Sequence, residues 1–217
     1  MAYSYSAIKD FKNCPRKYYE TRILKKWPSE KTEQIIYGEE VHEALELYIK
    51  EGKALGPHER FQNIADMLAA LEGDKYPELE MALDDTLNPC EFLGDNVFIR
   101  GIADLVVING KTASIFDYKT GSAKYPDTDQ LELMALMVFR HFPEVESVKA
   151  ALLFILHDKI ISAEYHKKDA KQKWIGWAAK IEQIEIAKDM NTWNENPTGL
   201  CGWCVVETCP HWKPRRR

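Results

Sequence analysis

The chain has 217 residues, of which 45% are hydrophobic and 29% charged, with a formal net charge of −5 and a pI near 5.7. That length supports one sizeable globular core, and the acidic balance is not the footprint of a generally basic nucleic-acid binder. Any nucleic acid would have to meet a local basic surface. Basic residues do cluster locally, as Arg16, Lys17, Arg22, Lys25 and Lys26 near the start and Arg215, Arg216 and Arg217 at the end.

The opening stretch reaches Lys9 and Asp10 without an apolar core segment, so no signal peptide is read there. A short helix is expected from Ser6 through Phe11 toward Cys14, disturbed at its far end by Pro15. A second helix is expected over Ile35 to Lys50, where Val41, Ala44, Leu45, Tyr48 and Ile49 recur at helical spacing and Gly52 follows as a stop. A third runs from about Glu59 to Leu71. The period then changes. Val97 to Ile108 and Thr112 to Tyr118 are rich in β-branched and aromatic residues, and Asn109-Gly110 between them signals a hairpin. Helical spacing returns over Asp127 to Phe142, with Leu131, Met134, Ala135 and Val138 on one side. Two strands follow, Val148 to Leu156 and Ile160 to Tyr165, turning near Asp158-Lys159. A long helix over Lys168 to Met190 precedes an irregular tail. The longest apolar run, Ala150 to Leu156, is too short to cross a bilayer, so the sequence reads as a soluble, cytoplasmic protein. Helices before and between strands imply an α/β core with a mixed sheet.

The segment RGIADLVVINGKTASIFDYKTG carries the most informative chemistry. Asp117 and Lys119 stand two apart on a strand and project to one face. A hairpin would bring Asp104 alongside them. Two hard oxygen ligands beside an ammonium suit Mg²⁺- or Mn²⁺-dependent phosphodiester hydrolysis. The plainer alternative is an exposed hairpin with a cross-strand salt bridge. Gly101 and the Thr120-Gly121 stop, which permit close approach and end the strand at the site, favour the first reading. His42 lies in register with Leu45 and Ile49 on its helix, where a histidine by itself is usually an edge-of-core residue.

Five cysteines form an odd set, and three of them, Cys201, Cys204 and Cys209, fall within nine residues. With no secretory signal, this spacing points to a metal or cluster site rather than a disulfide framework. A fourth ligand must come from elsewhere: Cys14 is the candidate, Cys90 its competitor, and His211 a lesser substitute. Four thiolates suit zinc as well as iron–sulfur, and unligated thiols are the remaining alternative. Tyr18, Tyr19, Trp27 and Trp212, close to basic residues, could stack on single-stranded bases or pack in the core.

Taken in order, Gly38-x-x-x-His42, Gly101-x-x-Asp104, Asp117-Tyr118-Lys119-Thr120-Gly121 and Gln130 resemble the RecB-family branch of the PD-(D/E)XK nucleases. The resemblance runs from about Ser4 to Cys209. It implies a restriction-endonuclease-like α/β fold, a central mixed sheet flanked by helices. One domain is expected over 1–217: an N-terminal segment at 1–34, a nuclease core at 35–190 and a cysteine tail at 191–217. The resemblance makes His42, Asp104, Asp117 and the Tyr118 carbonyl ligands of Mg²⁺ or Mn²⁺. It makes Lys119 the residue that positions the attacking water and puts Gln130 against DNA or the site. Arg16 and Tyr18 are further expected DNA contacts. One departure is Met134, where the family often has tyrosine. Similar nucleases of CRISPR adaptation and the AddB nuclease domain carry one cysteine before the core and three after it. By that likeness Cys14, Cys201, Cys204 and Cys209 hold a [4Fe–4S] cluster, with zinc the alternative occupant.

The expected activity is a metal-dependent DNA exonuclease or end-processing nuclease, working on single strands or frayed ends with no membrane partner. Recombination, repair, phage DNA metabolism and CRISPR adaptation are the settings implied, with protein partners drawn from such complexes. The alternatives are an inactive DNA-end-binding module and a zinc-stapled interaction domain.

Overall fold

The computed structural model describes residues 2–28 and 31–213. The terminal arginines 215–217, singled out as a basic cluster, lie outside the described residues. The chain divides into two compact units, Met1–Ala2 with Lys31–Lys173 and Tyr3–Glu30 with Trp174–Arg217.

The first unit is built on one five-stranded sheet, β1 (Asp74–Leu83), β2 (Ile99–Asn109), β3 (Thr112–Lys119), β4 (Ser147–Phe154) and β5 (Lys159–His166), in that spatial order. The β1–β2, β2–β3 and β4–β5 pairs are antiparallel, and β3–β4 is parallel. A parallel neighbour needs a crossover. It is supplied by the helix Asp129–His141, called α5 below because α1 (Tyr5–Asn13), α2 (Pro15–Tyr18), α3 (Glu33–Glu51) and α4 (Gln62–Ala69) precede it. This is the α/β architecture with a mixed sheet that the sequence pattern implies.

The β2–β3 hairpin closes between Asn109 and Thr112, which pair directly. Its central residues are therefore Gly110 and Lys111, and Gly110 takes φ 58°, as a glycine at the first central position of a type II′ turn does. One face of the sheet presents Leu105, Val107, Tyr118, Ala151 and Leu153 to Val41 and Leu45 of α3 and to Ala65 and Leu68 of α4. Each fully buried leucine there contributes about 2 kcal/mol of burial free energy. α3 is bounded cleanly. Thr32 caps its start, accepting from Ile35 N–H at 3.4 Å, and Gly52 ends it in the left-handed region at φ 68°. α5 is buried almost all round, from Leu131 through Phe139.

The expected Glu59–Leu71 helix is shorter, with a 3₁₀ stretch, Gly56–Phe61, ahead of α4. β1 has no counterpart among the strands expected from sequence. It is an edge strand carrying Pro77, which an edge tolerates and which hides the strand from a propensity reading.

The second unit contains α1, α2, a π-helical turn at Tyr19–Ile23, most of α6 (Ala170–Asp189) and the tail, with a 3₁₀ turn at Gly199–Trp203. Ser4, not Ser6, caps α1, accepting from Ala7 N–H at 3.3 Å. Within this unit the tail docks on the α1–α2 corner. Arg16 N–H donates to Asn194 O at 3.1 Å, and Asn196 Nδ2 donates to Asn13 O at 2.9 Å. Trp193 stacks on Tyr19 with centroids 4.7 Å apart. Among the described residues no helix is long and apolar enough to cross a membrane.

Candidate metal centre

The register Leu105↔Phe116, carried one step further, sets Asp104 opposite Asp117 at the end of the β2–β3 ladder. Asp104 Oδ2 accepts from the Tyr118 N–H at 2.6 Å, which locks the two strands together there. α3 then brings His42 down on the same point. Its Nε2 lies 3.1 Å from the Tyr118 carbonyl oxygen, and its Nδ1 lies 3.4 Å from Asp104 Oδ1. Gly38, one turn earlier on that helix face, is why this approach is available. A Cβ there would stand 3.0 Å from Thr120 Oγ1, tight enough that the Thr120 side chain would have to give way. Two pieces of the sequence pattern, the glycine before the histidine and the threonine after the lysine, thus meet in space.

Asp117 is 4% exposed and Tyr118 2%. The alternative of an exposed hairpin is therefore excluded, and the ion pair present is not across strands. Lys119 Nζ lies 2.5 Å from Asp117 Oδ2 on its own strand. Gln130, from the first turn of α5, completes the arrangement: its Nε2 donates to Asp117 Oδ1 at 2.7 Å and its Oε1 accepts from Lys119 Nζ at 3.1 Å. The amide can satisfy both partners in only one orientation, because a carboxylate accepts and an ammonium donates. Gly101 permits a close approach, as the sequence suggests, and the neighbour that makes it is on α5. A Cβ there would fall 2.9 Å from the Met134 Cε, so the residue that departs from the family's tyrosine is packed against Gly101.

Glu78 is the group that the sequence reading missed. A carboxylate oxygen of Glu78, one of Asp104 and a ring nitrogen of His42 lie within 4.8 Å of one another, the one such group of three among the described residues. Glu78 belongs to β1, which had no strand signal, and nothing in its local sequence marks it. These residues line a cleft of about 770 Å³, whose α3 wall also carries Glu39, Glu43 and Glu46.

The electrostatics follow from crowding of like charge under partial burial. Burial, reinforced by the Asp104 charge, pushes Glu78 up to about 7. Burial and Asp104 also raise Asp117, against the pull of Lys119. Burial disfavours the charged form of His42, but the Asp104 hydrogen bond and the surrounding carboxylates outweigh it and raise its pKa. Such a site attracts a divalent cation, which would relieve the repulsion. Asp117, expected as a ligand, has both oxygens engaged by Lys119 and Gln130 in this structure.

In the second unit, Cys14, Cys201, Cys204 and Cys209 line one cavity of about 360 Å³, together with Lys17 and His211. Cys14 is presented at the start of α2, and the Thr198 N–H donates to Cys201 Sγ at 3.3 Å. No three of these sulfurs lie within 4.8 Å of one another, whereas a zinc tetrahedron with bonds of ~2.3 Å needs its sulfurs about 3.8 Å apart. Cys90 belongs to the sheet unit, where its N–H donates to Ala82 O at 3.0 Å.

The two further expected DNA contacts both have partners within the second unit. Tyr18 is 1% exposed and its ring packs edge-on to Phe11 and stacked on Trp193, so it offers no face to a base. Arg16 is half-buried and its Nη1 pairs with Glu195 at 2.5 Å.

A model of the PD-(D/E)XK nuclease superfamily matches residues 2–210, and the chain belongs to that superfamily. Among solved structures, one from Eubacterium rectale called "Putative exonuclease" covers 100% of this chain and 90% of its own, at 13% identity and a TM-score of 0.50. That likeness speaks to the fold. The crystal structure of SSO0001 covers 98% of this chain and 87% of its own, at 15% identity and a TM-score of 0.46. No curated protein matches the sequence.

Proposed function

We propose that this protein is a metal-dependent deoxyribonuclease of the RecB-like branch, an exonuclease or end-processing enzyme for single-stranded DNA or frayed ends. The observation that carries the reading is the convergence of His42, Asp104, the Tyr118 carbonyl and the Asp117–Lys119–Gln130 set at one end of the β2–β3 ladder. Membership of a nuclease superfamily over nearly the whole chain supports it.

His42, Asp104, Asp117 and the Tyr118 carbonyl would hold Mg²⁺ or Mn²⁺. The cation, when bound, supplies polarisation of a phosphoryl oxygen and a more acidic water. The chain's own contribution is positional. Lys119, tethered between Asp117 and Gln130, presents an ammonium where a water must be oriented and where negative charge grows on the phosphate. His42 binds a cation only as the neutral imidazole, so the proton favoured by its carboxylate neighbours must leave first.

Cys14, Cys201, Cys204 and Cys209 form the second part of the reading, a site for a [4Fe–4S] cluster. Their shared cavity supports a common ligand for the four thiols, and the likeness to cluster-bearing nucleases is what favours iron–sulfur over zinc. The cluster's contribution is structural, tying the α1–α2 corner to the tail.

The test is an anaerobic purification with a visible spectrum, then cleavage of end-labelled single-stranded DNA with and without Mn²⁺. A brown protein that shortens the strand only with metal, and whose Asp117→Ala variant does not, is the expected result. A protein that leaves DNA intact under all metals but still retains it on a filter would establish the end-binding module instead.

A further inference from the structure

Glu78 stands opposite Asp104 in the β1–β2 ladder: Pro77 pairs with Leu105 and Leu79 with Ala103, and the register is the same on either side of it. Its φ is 46°, in the left-handed region that side-chain-bearing residues avoid. Strain of this kind persists where the surroundings hold it in place, and it clusters at functional sites. Here the Glu78 carboxylate lies close enough to His42 and Asp104 for the three to share one ion. A glycine or asparagine would take this backbone conformation with less strain, so the backbone alone gives no reason for a glutamate there.

We infer that Glu78 is a direct ligand of the divalent cation, sharing it with His42 and Asp104 from the β1 side of the cleft. This rests on the nuclease reading only in that the same cation is used. The oxygen–nitrogen–oxygen set is one that Mn²⁺ accepts, with water and phosphate oxygens filling the remaining positions.

The experiment is Mn²⁺ titration of the full-length protein without DNA, followed by calorimetry or the loss of the free-ion resonance signal, with melting in EDTA alongside. Glu78→Gln keeps the shape and removes the charge, and should weaken Mn²⁺ binding at least tenfold. Glu78→Gly should weaken it comparably while melting at a higher temperature than wild type in EDTA, because glycine accepts φ 46° without strain. Loss of binding together with a stabilised metal-free fold is a signature no purely structural role would give. Wild-type Mn²⁺ affinity in either variant would overturn the inference. Metal-dependent cleavage by wild type with unaltered Mn²⁺ affinity in Glu78→Gln would sink Glu78 as a ligand and leave the nuclease reading standing. Wild type that binds Mn²⁺ through Glu78 but never cleaves DNA would do the reverse.

Discussion

At the scale of single residues, Lys119 is the group whose loss is most diagnostic. It is the only cation paired to Asp117 among the described residues, and Asp117 is 4% exposed. Lys119→Ala should therefore lower cleavage by about a hundredfold or more, the usual effect of deleting a charge-stabilising group. It should also cost stability in a pH-dependent way. Burial already places the Asp117 pKa above its unfolded value, and Lys119 opposes that shift, so the variant's Asp117 holds its proton to still higher pH. A group with a raised folded pKa contributes most below its unfolded value and loses that contribution as pH rises. The destabilisation by Lys119→Ala should thus be small at pH 5 and about 1–3 kcal/mol at pH 8, discounted for the exposure of the lysine. Equal melting shifts at both pH values would show that the ammonium does not balance Asp117. Gly38 gives a steric counterpart. Gly38→Val pushes on Thr120 and should tilt His42 away from Tyr118, lowering Mn²⁺ affinity with little loss of helix content by circular dichroism.

Among elements, α3, the β2–β3 hairpin, α5, β4, β5 and α6 were readable because each carries an uninterrupted period and a stop signal, such as Gly52 after α3 or Gly110 in the turn. β1 was not. Pro77, the left-handed Glu78 and the acidic side chains of an edge strand break its alternation, and pairing to β2 is what makes it a strand. Glu78 escaped notice for the same reason, since its place opposite Asp104 is visible only once the two strands are paired. Tyr18 shows the opposite failure. An aromatic beside basic residues gives the same sequence signal whether it faces solvent or, as here, a buried aromatic cluster. The β1–α5 packing has a titratable contact of its own. His141 donates from Nε2 to Ala82 O at 3.1 Å, and burial lowers its pKa. A histidine with a depressed folded pKa favours the fold above its unfolded value of about 6.5 and withdraws that support as pH falls, because the unfolded chain takes the proton first. His141→Gln should therefore narrow the difference in melting temperature between pH 7.5 and pH 5.5. An unchanged difference would mean that the imidazole takes its proton as readily in the folded chain as in the unfolded one.

For the whole molecule, the four cysteines were legible as a set from spacing and family likeness, but their occupant is a matter of chemistry that spacing alone does not fix. On the proposed cluster reading, Cys204→Ser should bleach the brown colour expected of the anaerobic protein and lower its melting temperature by several degrees, since ligation would close a long loop between Cys14 and the tail. An unchanged spectrum would remove Cys204 from the ligand set, whereas Cys90→Ser should leave the colour intact. The acidic cleft has a different consequence. Glu39, Glu43, Glu46, Glu78 and Asp104 line it with carboxylates, and among the described residues lining the cleft there is no lysine or arginine. On the proposed nuclease reading a bare cleft would repel the phosphates of its substrate, so assembly should be ordered, the cation entering first and the strand following. Linkage makes this reciprocal, each ligand tightening the other by the same factor. The free enzyme, scarce in bound metal at low cation concentration, would then be shut to DNA by its own charge, and divalent cation supply would set how readily it engages a strand before any bond is cut.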